Sequence, residues 1–250
     1  MSRRRFHVPG ELIHENIAIL PREQAHHLRH VLRLQEGDAV EIFDGEGAGY
    51  SGRVRCLGDD VHVENLVGMS PPEKDQPPVI LAQALIKADR FEWILQKGTE
   101  LGVSEFIPLE ARFSDARIAE SRIAGRMERW QRIVREASRQ SCRFSIPEIR
   151  KPMTLAQLLS LDELSRFRGF FLHENASERW SSPAPVAPGY VLCIGPEGGW
   201  HPSEADAAAS AGFGLYHLGP RILRAETAAL AAVTLLQFQI ANYRLQTDKA

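Results

Sequence analysis

The spacing of apolar positions changes character twice along the chain. Val40-Glu41-Ile42-Phe43, Gly52–Leu57 and Val61–Val67 alternate or are β-branched, with Gly and Asp between them, which predicts short strands. Gln35-Glu36-Gly37-Asp38 and Asp44-Gly45 read as the turns that connect such strands. Between Arg22 and Leu32 the period is helical instead, with Ala25, Leu28 and Leu32 on one face. Residues 1–69 are therefore expected to form a small β-rich unit. Residues 70–78 are polar and rich in proline, the composition of a semi-rigid linker. From 79 to 250 predicted strands (Val79–Leu85, Val103–Leu109, Gly169–Leu172, Tyr190–Ile194, Leu215–Leu218) alternate with predicted helices (Arg90–Leu101, Arg122–Ser141, Leu155–Leu164, Glu226–Tyr243). That alternation predicts an α/β fold with a mainly parallel sheet. In the helix from Arg122, residues Ile123, Met127, Trp130, Val134 and Ala137 recur at spacings of four and three, a core stripe. The last helix is Ala- and Leu-rich around most of its circumference, so it is expected to be buried in its own domain or against another subunit.

Two turns interrupt this pattern where chemistry is expected. Ile194-Gly195-Pro196-Glu197-Gly198-Gly199-Trp200 follows the apolar run from Tyr190, and Leu218-Gly219-Pro220-Arg221-Ile222-Leu223-Arg224-Ala225-Glu226-Thr227 follows the run from Leu215. Each leads into an Ala-rich, helix-forming stretch. Glycine permits close approach of the backbone to a ligand, and a strand-to-helix turn turns free N–H groups into a crevice. Gly195 and Gly219 are 24 residues apart, which suggests neighbouring loops at one end of a parallel sheet, where open α/β folds bind ligands. The plainer alternative is that Gly-Pro turns only punctuate strands. His173-Glu174, after the run ending at Leu172, is a third candidate loop.

Composition narrows the classes. At 250 residues, with 44% hydrophobic and 25% charged residues, the chain has an ordinary globular composition. The net charge of −2 gives no global signal for nucleic acid, so any such signal is local. One local signal is the span from Arg117 to Arg143, with eight arginines against three glutamates. A second is Arg3, Arg4, Arg5, Arg29, His30 and Arg33 in an otherwise acidic segment. Both suit phosphate contacts, and both are also compatible with solvated surface. Three widely spaced cysteines without a Cys-x-x-Cys or Cys/His pattern argue against a disulfide framework or a metal site, and fit a reducing cytoplasm. No secretory signal or membrane span is expected. Motifs of P-loop, zinc-protease and serine-hydrolase types are absent. Gly45-Glu46-Gly47-Ala48-Gly49 imitates a dinucleotide fingerprint, but Tyr50 stands where its last glycine is required and a strand follows, so a hairpin loop is expected.

The two turns, read with Arg5-Phe6-His7, His26–Arg33, Lys87–Thr99, Glu100-Leu101-Gly102 and Glu136–Ser141 in this order, resemble the SPOUT methyltransferases. Specifically, they resemble the bacterial small-subunit (16S) ribosomal RNA uridine-N3 methyltransferase family, over nearly the whole chain. The resemblance implies a PUA-like β-barrel over 1–69 that docks RNA, and a SPOUT domain over 79–250 with a C-terminal trefoil knot and a homodimer packed near the cofactor site. It implies S-adenosylmethionine as cofactor, held by Leu172, His173, Glu174, Ile194, Gly195, Pro196, Glu197, Gly198, Gly199, Leu218, Gly219, Ile222, Leu223, Arg224, Thr227 and Ala228. It implies RNA contacts at Arg3, Arg4, Arg5, Arg29, His30, Arg33, Lys87, Arg90, Lys97, Arg129, Arg132, Arg139 and Arg143, with the assembled small subunit as substrate and no metal.

Uridine N3 must lose a proton to attack a methyl group, and a nearby cation would stabilise the resulting anion. Arg224 is the candidate cation, with Glu226 orienting it or taking the proton. The alternative is a structural Arg224–Glu226 ion pair capping the last helix. Cys193 lies within an apolar strand, which disfavours chemistry that adds a thiolate to the pyrimidine ring. A non-catalytic RNA-binding assembly factor that keeps the fold is the competing functional reading.

Overall fold

A computed structural model describes residues 4–58, 60–71, 76–180 and 186–247, with side chains to residue 241. The chain divides into two units, Met1–Gln76 with Arg135–Ile146, and Pro77–Val134 with Pro147–Ala250. The expected linker 70–78 falls at this division, and its residues 72–75 lie outside the described residues.

In the first unit, β1 (Arg5–His7), β2 (Ile13–His14), β3 (Ile17–Ile19), β4 (Ala39–Phe43), β5 (Gly49–Leu57) and β6 (Asp60–Met69) form one sheet in the order β1-β4-β5-β6-β3-β2. Among the described residues the β1–β4 pair is parallel and the other strand pairs of this sheet are antiparallel. Phe6, Val40, Ile42, Val54, Val61 and Val63 bury the inner face that period-two alternation predicts. The glycine cluster at 45–49 is the β4–β5 hairpin loop. Asp44 Oδ1 accepts from the backbone N–H groups of Glu46, Gly47 and Ala48 at 2.8, 3.0 and 2.9 Å, which closes the loop without a ligand. The helix expected over 22–32 is α1 (Arg22–His26) running into a π-helical turn, His27–Val31. The wider turn keeps Leu28 fully buried and ends at Arg33, whose positive φ of 52° stops the helix.

The second unit holds β7 (Val79–Ala84), α2 (Ala88–Glu100), β8 (Glu105–Glu110), most of α3 (Glu120–Ser141), β9 (Glu148–Ile149), β10 (Met153–Thr154), α4 (Leu155–Leu159), β11 (Arg168–Leu172), β12 (Tyr190–Ile194), α5 (Pro202–Ser210), β13 (Gly214–Tyr216) and α6 (Ala225–Thr247). Every strand pair is parallel, in the order β10-β8-β7-β12-β11-β13, with β9 also paired to β8. Val79–Ala84 and Tyr190–Ile194 are buried at every position, as strands covered on both faces require. In α3 the expected stripe is buried at Trp130, Val134 and Ala137 and half-buried at Ile123 and Met127. The helix expected over 155–164 stops at Leu159, where Ser160 Oγ donates to the Gln157 carbonyl; a 3-10 turn, Asp162–Leu164, follows. The strands expected at 190–194 and 215–218 are not neighbours, because β11 lies between them.

Candidate functional site

That interposed strand builds the site. β11 pairs with β12 through Leu172↔Ile194 and with β13 through Leu172↔Tyr216, so the three strands end at one level. Their following loops meet at the carboxyl edge of the sheet, where α/β folds place ligands. They enclose a cleft of about 320 Å³. Its walls include Leu172, His173, Glu174, Ile194, Gly195, Pro196, Glu197, Gly199, Leu218, Gly219, Ile222, Leu223, Arg224 and Ala228, all expected from the sequence. Trp200, Tyr216, His217, Pro220, Arg221 and Ala225 also line it.

Each loop is fixed by contacts that local sequence does not reveal. Trp200 is buried, and its Nε1 donates to the Leu172 carbonyl at 2.9 Å while its ring packs on Phe171 at 4.5 Å between centroids. Gly195 lies beneath that indole; a Cβ there would stand 3.0 Å from Trp200 Nε1. Gln83, buried in the central strand β7, donates from Nε2 to the Gly195 carbonyl at 3.4 Å. Gly199 N donates to the Pro196 carbonyl at 3.0 Å, closing a turn that puts Gly199 at φ +72°. The β11 loop is tied to the β13 end by His173 N to Tyr216 O at 2.9 Å, Trp180 N to His217 O at 3.0 Å and His217 N to Glu178 O at 2.9 Å.

Three expected residues stand apart from the cleft walls. Gly198 faces the other way, and a Cβ there would meet the Cβ and carbonyl oxygen of Phe113 at 3.0 Å. Thr227 is exposed on the first turn of α6. Glu226 is set back from the cleft, its side chain 15% exposed. Its Oε1 lies 3.9 Å from Arg90 Nε, and its Oε2 is buried with no hydrogen-bond partner among the described residues. Arg90 Nη1 also reaches Glu197 Oε1 at 3.3 Å. The capping pair considered for Arg224 and Glu226 is not formed among the described residues: Arg224 is exposed at the cleft, and Glu226 faces Arg90 instead. Cys193 is fully buried in β12, and burial pushes its thiol far above the ordinary range, so no thiolate is available there.

The expected RNA contacts separate into distinct groups. Arg3 lies outside the described residues. Arg5 and Arg143 are corrected: both are buried, at 1% and 3% exposure, and cannot reach a phosphate. The Arg5 guanidinium lies over the Phe43 and Phe144 rings at 4.7 and 4.8 Å and donates to the Arg143 carbonyl, a structural role within the first unit. Arg4 pairs with Asp38 at 2.9 Å, and Arg29 donates to the Gly58 and Asp60 carbonyls at 2.7 and 2.9 Å. His30 is exposed against the His26 ring at 4.5 Å, and Arg33 is exposed. Lys87 is exposed before α2, while Lys97 pairs with Glu100 at 2.8 Å. On α3, Arg129 binds Glu92 through two contacts of 2.6 Å, Arg132 is exposed, and Arg139 pairs with Glu136 at 2.8 Å. Among the described residues no group of three or more His, Cys, Asp or Glu side chains is placed to hold a metal ion, and no helix is long and apolar enough to cross a membrane.

Known proteins share this arrangement. The profile of an RNA methyltransferase domain matches residues 72–237, and that of an RNA methyltransferase PUA domain matches residues 20–55. The ribosomal RNA small subunit methyltransferase E of Synechocystis is 35% identical over 242 residues, covering 92% of this chain and 75% of that protein. Its Bacillus subtilis counterpart is 30% identical over 230 residues, covering 87% and 88%. Among solved structures, the methyltransferase E of Neisseria gonorrhoeae bound to S-adenosylmethionine superposes with a TM-score of 0.83 at 30% identity, covering 94% of this chain and 97% of that one. A Legionella pneumophila methyltransferase solved with the same molecule superposes with a TM-score of 0.83 at 31% identity, covering 95% and 98%.

Proposed function

The chain belongs to the RNA methyltransferase family of the ribosomal RNA small subunit methyltransferases E, and from that premise we propose that it methylates N3 of a uridine in 16S ribosomal RNA, with S-adenosylmethionine as donor. The observation that carries the reading is the cleft at the ends of β11, β12 and β13. Its volume lies at the lower end of small-molecule pockets, and its walls combine apolar side chains with backbone exposed at glycine. Leu218, Gly219, Ile222 and Leu223 suit an adenine slot; Gly219, at φ +132°, has open space where a side chain would stand. Gly195 and Gly199 let the chain pass close to the remainder of the ligand, with Glu174 and Glu197 at hand for its cationic part.

When bound, S-adenosylmethionine supplies an electrophilic methyl group. The chain's own residues prepare the acceptor. Arg224, exposed at the cleft, is suited to a uracil carbonyl oxygen, where it stabilises the negative charge left when N3 loses its proton. Glu226, next in the chain to the cleft residue Ala225 and with Oε2 lacking a donor among the described residues, is the candidate for taking that proton. Oriented binding of donor and acceptor supplies much of the remaining acceleration. The first unit and α3 hold the RNA, the assembled small subunit is the substrate, and the enzyme works in the cytoplasm as a homodimer with its C-terminal segment knotted.

The test is methyl transfer from labelled S-adenosylmethionine to purified small subunits, with the modified nucleoside identified by mass spectrometry and donor binding measured by calorimetry. The expected outcome is one N3-methyluridine per subunit and stoichiometric donor binding. Donor binding with methylation at another atom would overturn the N3 assignment. RNA binding without donor binding would make the chain an assembly factor that has kept only the fold.

A further inference from the structure

Arg90 is the third residue of α2, and it is held between two carboxylates that come from different parts of the chain. Its Nη1 lies 3.3 Å from Glu197 Oε1, on the loop after β12, and its Nε lies 3.9 Å from Glu226 Oε1, at the start of α6. The resemblance to RNA methyltransferases makes Arg90 a phosphate contact; the geometry points elsewhere. We propose that Arg90 is a positioning residue for methyl transfer, fixing the Glu226 carboxylate at the start of α6 beside the cleft residues Arg224 and Ala225.

Three observations support this assignment. Glu197 and Glu226 both lie within ion-pair distance of one guanidinium, at 3.3 and 3.9 Å, so its removal leaves both carboxylates without the cation they share. Among the described residues the cation within ion-pair distance of Glu226 is Arg90 of α2, which also meets Glu197 of the β12 loop; Arg224, two residues before Glu226, lines the cleft instead. The Glu226 carboxylate is also asymmetric. Oε1 faces Arg90, while Oε2 is buried and lacks a donor among the described residues. A buried acceptor left without a partner is costly, and a donor supplied by a bound substrate removes that cost. A guanidinium suits the anchoring role because its donors lie in a rigid planar fork that fixes two acceptors in direction, whereas an ammonium on a flexible stem fixes neither.

The inference rests on the reading of Glu226 as the proton acceptor, and a double-mutant cycle separates the two. Single-turnover methylation, S-adenosylmethionine affinity, RNA affinity and thermal transitions are measured for Arg90→Ala, Arg90→Lys, Glu226→Gln and the Arg90→Ala/Glu226→Gln pair. Arg90→Ala should slow methyl transfer by about tenfold to a hundredfold, the scale of a misplaced group, with both affinities little changed. Arg90→Lys should recover part of the rate. The double variant should be no slower than Glu226→Gln alone, because Arg90 acts only through that carboxylate. Should Arg90→Ala not fold, Arg90→Gln takes its place in the cycle. A slow Glu226→Gln whose loss multiplies with that of Arg90→Ala overturns the positioning role alone. A Glu226→Gln variant at the wild-type rate removes the reading of Glu226 and the Arg90 proposal with it. Loss of RNA affinity in Arg90→Ala, with a salt dependence flattened by about one phosphate contact, would make Arg90 an RNA ligand after all.

Discussion

At the scale of single residues, the cleft sorts contributions to chemistry from contributions to shape. Arg224 is exposed at the cleft, just before α6, and is the cation proposed to face the developing uracil anion. A charge-assisted contact of that kind matters at the transition state more than in the ground state. Arg224→Ala should lower the single-turnover rate by about two to three orders of magnitude, as loss of one oxyanion donor does, with donor and RNA affinities changing far less. Arg224→Lys should restore only part of the rate. A proportional loss of donor affinity would instead make Arg224 a wall of the pocket. Gly199 is a matter of shape: φ is +72°, and a Cβ would stand 2.7 Å from Glu174 Oε1. Gly199→Ala should cost about 1–2 kcal/mol in backbone conformation and push Glu174 aside. Calorimetry should record weaker donor binding, and unchanged affinity would show that the turn can be rebuilt without consequence. Gly198 has no such constraint from the cleft, since its neighbour is Phe113. The cleft residues of the two turns were legible because glycine and proline announce a strand-to-helix turn locally. The partnership of Arg90 with Glu197 was not, because the two lie 107 residues apart and nothing in either neighbourhood signals the other.

At the scale of elements, hydrophobic period found the long helices and central strands, and local hydrogen bonding decided where they ended. Ser160 stops α4 early, and the π-helical turn after α1 preserves the burial of Leu28; an apolar period cannot register either feature. The short β1 and β2 went unpredicted because three and two residues carry too little alternation to read. The arginines of α3 show the limit of reading charge from composition. Arg126 and Arg129 are both drawn to Glu92 of α2, so part of the positive stripe serves helix packing. Arg132, exposed nearby on the same helix, is the better candidate for phosphate. Arg132→Gln should therefore leave the thermal transition in place and reduce the slope of log affinity against log salt by about one contact. Arg129→Gln should lower the thermal transition slightly and change the slope less. If both variants keep the wild-type slope, α3 does not touch RNA.

At the scale of the whole molecule, the division into units crosses the one expected from the linker. Arg135–Ile146 belongs with the first unit, where Phe144 lies 2.6 Å from the position a Cβ on Gly49 would take and Ile146 N donates to the Gly45 carbonyl at 2.8 Å. The period of α3 shows which face is apolar, not which core receives its end, so this exchange was illegible. The last helix raises a related question about its second face. Ala225, Ala229, Ala232, Val233, Leu236 and Ile240 are buried within the chain. Ala231, Phe238 and Ala241 stand exposed on the other side, with Phe238 at 64% exposure. Thr227 and Thr234 are exposed on the same side, so this face is mixed, and Phe238 is the large apolar side chain on it that would gain from being covered. The N-terminal end of this helix supplies Ala225 and Ala228 to the cleft, and Ile222, 88% exposed, lies just before it. A second copy packed along the exposed face would therefore come close to the cofactor cleft. Phe238→Glu places a charge in that face without disturbing the buried one, so the monomer should fold normally. Analytical ultracentrifugation should find the wild type at twice the chain mass and the variant at the chain mass, and methylation by the variant should fall with its dimer fraction. A wild type that sediments as a monomer at micromolar concentration, or a Phe238→Glu protein that remains dimeric, would mean that α6 is not the subunit contact.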